Sequence, residues 1–277
     1  GKDGLFVAAG KEILRYADSD ANLDAAPQPS RVSEDLPGDA TLGGALRLGP
    51  DGKLYVAVGA ACNACEPAHD QAQIRRMATD GSGSEIVAQG VRRSLGLDFN
   101  PANKDLYFTD NGREWMSEDV PADELNRLVR TGQHYGFPYC HQGDLRDSQF
   151  GWGRSCGEFV KPLALLGPHT DVGGIHFYTG TMFPRQYRNT LFIVRKGAWS
   201  RTSRLGADIL VAQLACDGSV EIIEPFLTGF LEKDGYAGRP SDVAMMKDGS
   251  LLVSDEANGA TYRISFAAAA RPARPAH

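Results

Sequence analysis

The chain has 277 residues, and its 29 Lys and Arg against 35 Asp and Glu give a formal net charge of −6. An acidic chain has no general basic field, which argues against a sequence-independent nucleic-acid binder. Hydrophobic residues make up 42% and charged residues 23% of the chain, which excludes wholesale disorder. No apolar run approaches the roughly 18 residues of a membrane helix, and the polar opening residues resemble no signal peptide, so neither is expected.

A short phrase recurs along the chain, consisting of a turn, an apolar triplet, and small or acidic residues. The triplets begin at Leu5, Leu54, Leu106, Leu191 and Leu251. Asp-Gly precedes several of them, and Gly supplies the positive φ that a tight hairpin turn needs. We therefore predict that each triplet is a strand entered from a tight turn.

Further strands are expected on either side of these triplets. They are predicted at 46–48, 97–99, 176–178 and 243–245 before the triplets, and at 13–16, 74–77, 209–214 and 261–264 after them. Three or four strands repeating at intervals of about 50 residues are typical of a β-propeller. The sequence thus predicts an all-β propeller, and a β-sandwich with chance internal similarity is the alternative.

The repeat also predicts the domain organisation. Five repeats are visible in a single domain over residues 1–266, and a ring of six blades is expected, whose further blade is either a degenerate one within this domain or an N-terminal one outside this sequence. The interval from Leu106 to Leu191 exceeds one repeat, so residues 133–173 are either an insertion or a degenerate blade. The Ala- and Pro-rich residues 267–277 are expected to be a disordered tail.

Five cysteines are present: Cys62, Cys65, Cys140, Cys156 and Cys216. Cys62 and Cys65 are spaced as half of a zinc site, a redox pair or part of a disulfide framework. We favour disulfides, because no second close pair completes a zinc ribbon and no βαβ pattern surrounds the motif. Disulfides would place the chain in an oxidising compartment, and the odd count leaves one thiol free, for which Cys216 is the candidate.

Three loops are candidates for ligand binding at the mouth of the ring. In the first, Arg92 and Arg93 offer guanidiniums that suit carboxylates, unless they are only a solvated surface pair. In the second, residues 109–126 are rich in carboxylates and Gly, which suits a hard cation such as Ca²⁺ but also a solvated acidic loop.

The third candidate combines two segments, residues 195–201 and 238–242. Lys196, Arg201 and Arg239 are its cations and Trp199 its aromatic residue, a set that could clamp a flat anionic ligand by charge and stacking. Alternatively, Trp199 belongs to the core, the commoner environment of a single Trp.

Phrases at these loops and turns, in order along the chain, resemble the soluble pyrroloquinoline-quinone-dependent sugar dehydrogenases. The similarity is to their sorbosone dehydrogenase-like branch and extends over about residues 2–266. The phrases that carry it are 48–59, 62–66, 90–92, 109–112, 123–126, 135–140, 183–184, 197–199 and 238–240.

The resemblance implies a six-bladed propeller whose mouth holds the quinone against Ca²⁺. Arg92 would lie against the quinone with Asn111 beside it, while Arg239 and Lys196 would bind it. The backbone carbonyls of Gly112 and Arg113 would face the catalytic Ca²⁺. Glu124 and Tyr135 match positions that hold a second, structural Ca²⁺ in some relatives.

The family's general base is a histidine, but the corresponding position here is Thr41. A Thr hydroxyl is not a base near neutral pH, so Asp39 is the substitute candidate. The implied function is quinone-dependent oxidation of an aldose or sugar aldehyde, such as sorbosone, in a periplasmic or secreted protein with an external electron acceptor. The alternatives are a non-catalytic ligand- or partner-binding propeller and, more weakly, a Ca²⁺-dependent lactonase.

Overall fold

The apolar triplets all lie on strands of antiparallel sheets arranged as the blades of a β-propeller. The computed structural model describes residues 4–17, 28–33, 36, 44–233 and 235–267. Asp39, Thr41 and the tail beyond residue 267 lie outside the described residues. Gly52 and Gly249, which precede two of the triplets, have φ of +74° and +88°, as the Asp-Gly turns predict.

The described residues form five blades. The first comprises β1 (Leu5–Ala9), β2 (Glu12–Tyr16) and β3 (Ser30–Ser33). The second comprises β4 (Leu46–Leu48), β5 (Leu54–Val58), β6 (Gln73–Met77) and β7 (Glu85–Gln89), with β11 (Gln133–His134) parallel to β7. The third comprises β8 (Leu97–Phe99), β9 (Leu106–Asp110), β10 (Ala122–Leu128) and β14 (Ala164–Pro168).

The remaining two blades follow in chain order. The fourth comprises β15 (Val172–Phe177), β16 (Leu191–Arg195), β17 (Asp208–Leu214) and β18 (Val220–Leu227). The fifth comprises β21 (Pro240–Met245), β22 (Leu251–Asp255) and β23 (Ala260–Ile264). The all-β propeller is confirmed, and the described residues form five blades, one for each of the five repeats visible in the sequence.

The long interval between the third and fourth triplets is filled without another blade. Residues 135–163 lie between β11 and β14 and contain a hairpin of β12 (Cys140–His141) with β13 (Leu145–Arg146) and a 3₁₀ turn at Cys156–Glu158. A second short hairpin joins β19 (Leu231–Glu232) to β20 (Gly235–Tyr236), and a second 3₁₀ turn is at Arg185–Tyr187. Among the described residues, no helix has the length and apolarity that a membrane span requires.

The hydrophobic core lies between neighbouring blades. On β9, Phe108 packs against the second blade and Tyr107 against the fourth, because successive side chains of a strand point to opposite faces. On β16, Ile193 and Phe192 face the third and fifth blades in the same way. Full burial of each such side chain contributes roughly 2 kcal/mol, so stacking against both neighbours fixes the order of the blades.

The innermost described strand of every blade faces a common axis. Val7, Leu46, Leu97, Ile175 and Val243, one from each blade, line an axial cavity of about 370 Å³. Loops at one end of this axis can therefore bring residues from several blades to one place.

Candidate functional site

The candidate site lies at one end of the blades. There, the residues that precede the innermost strand of a blade lie beside the residues that follow the next strand of that blade. In blade four, Val172 at the start of β15 pairs with Arg195 at the end of β16. In blade five, Pro240 at the start of β21 pairs with Asp255 at the end of β22. Residues just outside these pairs therefore project at the same end of the axis, and this topology gathers Arg93, Asn111, Asp171, Lys196, Arg239 and Glu256.

Three cations from three blades surround the carboxylate of Asp171. Nη1 of Arg93 lies 3.2 Å from its Oδ1, while Nη2 of Arg239 and Nζ of Lys196 lie 3.3 Å and 3.6 Å from its Oδ2. Glu256 completes the group, since its carboxylate lies 2.8 Å from Nζ of Lys196 and 3.4 Å from Nε of Arg239. We call these five residues the cation cluster.

The cation cluster carries a surplus of one positive charge, and four of its five side chains are 10–27% exposed, while that of Glu256 is 42% exposed. The side chains of Asp171 and Lys196 are 10% and 12% exposed. Because charge-assisted contacts strengthen as water is excluded, such a cluster suits a ligand that carries several carboxylates. The sequence-based predictions for Lys196 and Arg239 thus fall on one spatial group, which also contains Arg93.

Arg92 lies outside this cluster, and its guanidinium is occupied by other groups. Nη1 donates to the carbonyls of Asn111 at 3.0 Å and Gly112 at 2.8 Å. Nε and Nη2 donate to the backbone carbonyl and side chain of Asn63 at 3.1 Å and 3.0 Å. Arg92 is buried, and its hydrogen bonds connect the loop that carries Asn63 to the loop that carries Asn111 and Gly112.

Asn111 lies beside Arg93 and is also buried. Its side-chain nitrogen donates to the carbonyl of Val172 at 2.9 Å and to that of Arg93 at 3.2 Å. Its side-chain oxygen is buried and has no hydrogen-bond partner. An unpaired buried amide oxygen is costly, so this atom is a candidate contact for a donor or cation of a ligand.

The carbonyl of Gly112, expected to face Ca²⁺, accepts from the Arg92 guanidinium. The Gly112 amide donates to Asp123 Oδ1 at 2.9 Å, and the Asp171 amide donates to Asp123 Oδ2 at 2.9 Å. Burial, together with the nearby negative charges of Glu114 and Asp171, raises the pKa of Asp123 to about 7. Asp123 therefore ties the Gly112 loop to the loop that carries Asp171.

Glu124 lies in a buried carboxylate pair. It is directly opposite Asp110 in the register of β10 with β9. Burial raises the pKa of Asp110 above its ordinary value, and burial together with the charge of Asp110 raises the pKa of Glu124. Glu124 accepts from the Gln142 amide at 2.7 Å and from the side chain of Asn126 at 2.9 Å, and Asn126 has an unpaired buried side-chain oxygen.

The other two predicted metal positions have different surroundings. The Tyr135 hydroxyl donates to the carbonyl of Arg127 at 2.8 Å, and its ring packs on Phe108. The Arg113 guanidinium pairs with Asp147, which also accepts from His141 at 2.9 Å. Within the described ranges, no three His, Cys, Asp or Glu side chains are arranged to hold a metal ion.

Trp199 and Arg201 lie on the exposed rim. The Trp199 ring is 53% exposed and packs edge to face on Trp115, so it is not a core residue. Nη2 of Arg201 lies 3.1 Å from Oδ1 of Asp119 on the neighbouring blade's loop. Both residues therefore belong to a contact between rim loops, next to the cation cluster in sequence but not part of it.

The cysteines form two disulfides, Cys62–Cys65 and Cys140–Cys156, and Cys216 is a free, exposed thiol. The disulfide prediction is confirmed. Cys216 lies in the turn that follows β17. The Cys62–Cys65 loop carries Asn63, which bonds to Arg92 and accepts the Glu114 amide at 2.8 Å.

Sequence analysis did not assign roles to Asn63, Glu114 and Asp171. For Asp171 a signal exists, because it precedes an inner strand just as Arg239 does. For Asn63 the only signal is its place between two cysteines. Glu114 lies between His169 and Ser200, with Oε2 at 3.0 Å from Nδ1 of His169 and at 2.6 Å from Oγ of Ser200, contacts that no local pattern indicates.

Comparison with known proteins shows the family to which the chain belongs. The sequence profile of the Glucose / Sorbosone dehydrogenase family matches residues 8–263. An uncharacterized protein of Borreliella burgdorferi is 34% identical over 217 residues, which cover 77% of this chain and 57% of that protein. The aldose sugar dehydrogenase of Escherichia coli K12 is 29% identical over 192 residues, 67% of this chain and 45% of the enzyme. The chain thus spans about half the length of these relatives.

Solved structures share the fold. A family AA12 carbohydrate-active enzyme of Trichoderma reesei aligns with a TM-score of 0.79 at 19% identity, over 94% of this chain and 77% of that one. The holo form of the PQQ domain of pyranose dehydrogenase from Coprinopsis cinerea gives a TM-score of 0.76 at 18% identity, over 94% of this chain and 78% of that one. The apo-form soluble aldose sugar dehydrogenase of Escherichia coli gives 0.62 at 22% identity, over 88% and 70%.

Proposed function

The chain belongs to the glucose/sorbosone dehydrogenase family, and we propose that it oxidises an aldose or a sorbosone-like sugar aldehyde with pyrroloquinoline quinone as the hydride acceptor. The observation that carries this proposal is the cation cluster, in which Arg93, Lys196 and Arg239 converge from three blades. Pyrroloquinoline quinone has three carboxylates, which match three converging cations in number and sign.

The residues present fit the quinone. Arg93, Lys196 and Arg239 would bind its carboxylates, and the buried side-chain oxygen of Asn111 would meet a polar edge of the ring system. When bound, the quinone supplies a carbonyl-type centre that accepts hydride from the sugar carbon. Asp171 and Glu256 hold the cations together and limit their mutual repulsion.

Calcium fits the two predicted positions differently. At Gly112 the carbonyl already accepts from the Arg92 guanidinium at 2.8 Å, and a divalent cation on the same oxygen would be repelled by that charge. This arrangement does not fit Ca²⁺ there, and we derive no step through it. Glu124 fits better as a structural Ca²⁺ ligand, because Asp110 and the unpaired oxygen of Asn126 are its neighbours.

The proton of the sugar hydroxyl needs an acceptor, and we retain Asp39 as the proposed base because Thr41 stands where the family has histidine. A second function, ligand or partner binding without catalysis, is favoured by that same absence of histidine. The two functions differ in turnover and not in quinone binding.

The two disulfides support a periplasmic or secreted location, where an external acceptor would reoxidise the quinone. Both the location and the acceptor are part of the proposal.

The test is a titration of the purified protein with pyrroloquinoline quinone, with and without Ca²⁺, followed by dye reduction over a panel of aldoses and sorbosone. Arg239→Gln should weaken quinone binding at least tenfold, because one charged contact is lost. Arg263→Gln is the matched control, since Arg263 pairs with Asp248 on the exposed face of the fifth blade. Equal quinone affinity in both variants, or no binding by the wild type, would refute the cofactor site.

Quinone binding without dye reduction by any sugar would support the non-catalytic function. Turnover that is lost in Asp39→Asn, with quinone affinity unchanged, would support Asp39 as the base.

A further inference from the structure

Two tryptophans form an exposed pair on the rim, on loops that also carry Arg113 and Lys196. Trp115 is 69% exposed and Trp199 is 53% exposed, and their ring centroids lie 5.3 Å apart at an interplanar angle of 78°. Trp115 lies on the β9–β10 loop, two residues after Arg113, and Trp199 lies on the β16–β17 loop, three residues after Lys196. Contiguous apolar surface left exposed and rimmed by polar residues is typical of interaction and ligand sites.

The two rim loops are fixed to each other by their neighbouring polar residues. Oγ of Ser200 donates to Glu114 at 2.6 Å, and the Thr202 amide donates to Glu118 at 3.1 Å. These bonds span 86 and 84 residues of sequence, so they define how the third and fourth blades present their rims. The indoles are thus held in place although they are exposed, which lowers the entropy lost when a ligand binds them.

The backbone of Trp115 supports a functional role for its position. Its φ is +67°, in the left-handed region that bulky residues rarely adopt. Such strain persists where the surrounding structure imposes it, and it occurs preferentially at ligand sites. Here it accompanies an indole that is turned outward to solvent rather than into the core.

The chemistry of the pair suits a sugar ring. One face of a pyranose presents C–H groups that pack on an aromatic ring, while its hydroxyls need polar partners at the edge. Ser200, Glu118 and Arg201 lie on the same two loops and supply such groups. The indoles are 69% and 53% exposed while Asp171 and Lys196 are 10% and 12% exposed, and this difference favours contact of the pair with a ring other than the one that reacts at the cation cluster.

We propose that Trp115 and Trp199 form a stacking subsite for a second pyranose ring, so that the preferred substrate is a di- or oligosaccharide oxidised at its end. This inference deepens the proposed sugar oxidation and depends on it for its kinetic test. Its binding test does not depend on turnover.

The binding test uses tryptophan fluorescence. The chain has three tryptophans, so Trp152→Phe leaves the pair as the only indole emitters. We expect cellobiose, maltose or their trisaccharides to shift or quench this emission saturably, whereas glucose at equal concentration has at most a tenth of the effect. A Trp115→Phe/Trp199→Phe variant keeps only Trp152, which is 86% exposed on another loop, and should give no saturable change. Equal responses in both variants, or none with any saccharide, would overturn the proposal.

The kinetic test compares KM with kcat. Trp115→Ala and Trp199→Ala should each raise KM for the responding disaccharide about tenfold, with kcat and the KM for glucose within twofold of the wild type. Trp199→Phe should restore most of the affinity, and Trp152→Ala is the matched control. Equal losses for glucose and disaccharide would refute the subsite even if oxidation is confirmed. A saturable fluorescence response without turnover would keep the subsite and refute the dehydrogenase function.

Discussion

Asn63 holds Arg92 through two different groups: its side-chain oxygen accepts Nη2 at 3.0 Å and its backbone carbonyl accepts Nε at 3.1 Å. The same side chain accepts the Glu114 amide at 2.8 Å and donates to the Glu114 carbonyl at 2.9 Å. A loop closed by the Cys62–Cys65 disulfide therefore braces the arginine that supports the rim of the third blade.

Asn63→Ala should lower the free energy of unfolding by roughly 2–3 kcal/mol, because Arg92 and the Glu114 amide lose their partners. Urea denaturation measures this change. Asn103→Ala, in an exposed turn, is the matched control and should cost less than about 1 kcal/mol. A loss for Asn63→Ala no larger than the control's would show that the brace contributes no stability.

Arg92→Ala should act mainly on stability. It leaves the carbonyls of Asn111 and Gly112 without their donor, which should cost roughly 2–4 kcal/mol. Thermal unfolding and quinone titration of the same preparation separate the two roles. An unchanged unfolding temperature with lost quinone affinity would instead support direct contact of Arg92 with the quinone, as the family resemblance implies.

Asp171→Ala should leave three cations with Glu256 as their remaining carboxylate in the cation cluster. The mutual repulsion of the cations should lower the unfolding temperature of the variant. A polycarboxylate ligand should therefore raise the unfolding temperature of the variant by more than it raises that of the wild type. Calorimetry with and without pyrroloquinoline quinone measures the difference. A smaller ligand-induced shift in the variant would mean that Asp171 organises the cations for binding.

The pair of His169 with Glu114 should make the free energy of unfolding depend on pH. Burial opposes its charged form, but the Glu114 carboxylate and the Ser117 carbonyl outweigh this effect and raise the pKa of His169 above its ordinary value. A raised folded-state pKa stabilises the fold fully below the unfolded value of about 6.5, and this contribution is lost as pH rises through the folded value.

The measurement is the free energy of unfolding between pH 6 and pH 9, for the wild type and for His169→Gln. The wild type should lose more stability over this range than the variant, and His176→Gln serves as a histidine control on the inner strand β15. Parallel pH curves for the wild type and His169→Gln would contradict the assignment.

The cysteines give a chemical prediction. Only Cys216 should react with a thiol reagent in the native protein, and all five cysteines should react after reduction in denaturant. Replacing Cys140 and Cys156 by Ala should lower stability by about 3 kcal/mol, because their disulfide closes a loop with a sequence separation of 16. Three or more reactive thiols in the native protein would show that a disulfide is absent.

The fold was predictable because its signals are local. The strands Leu46–Leu48 and Leu97–Phe99 match their predicted bounds, because each is followed directly by a turn and then by an apolar triplet. The structure of residues 133–173 was not predictable, because the length between Leu106 and Leu191 does not reveal whether this segment folds as a further blade or as a hairpin beside its neighbours.

The residues of the candidate site also divide into those that the sequence identifies and those that only the tertiary structure identifies. The sequence by itself determined which cations stand at strand ends, and so it identified Lys196 and Arg239. Only the tertiary structure decided that Asp171 lies between them and Arg93, while Arg92 turns away toward Asn63. These contacts join residues as far apart as 93 and 171, and the angle between neighbouring blades determines whether such side chains meet. That angle arises from side-chain packing in the blade interfaces, which no local pattern encodes.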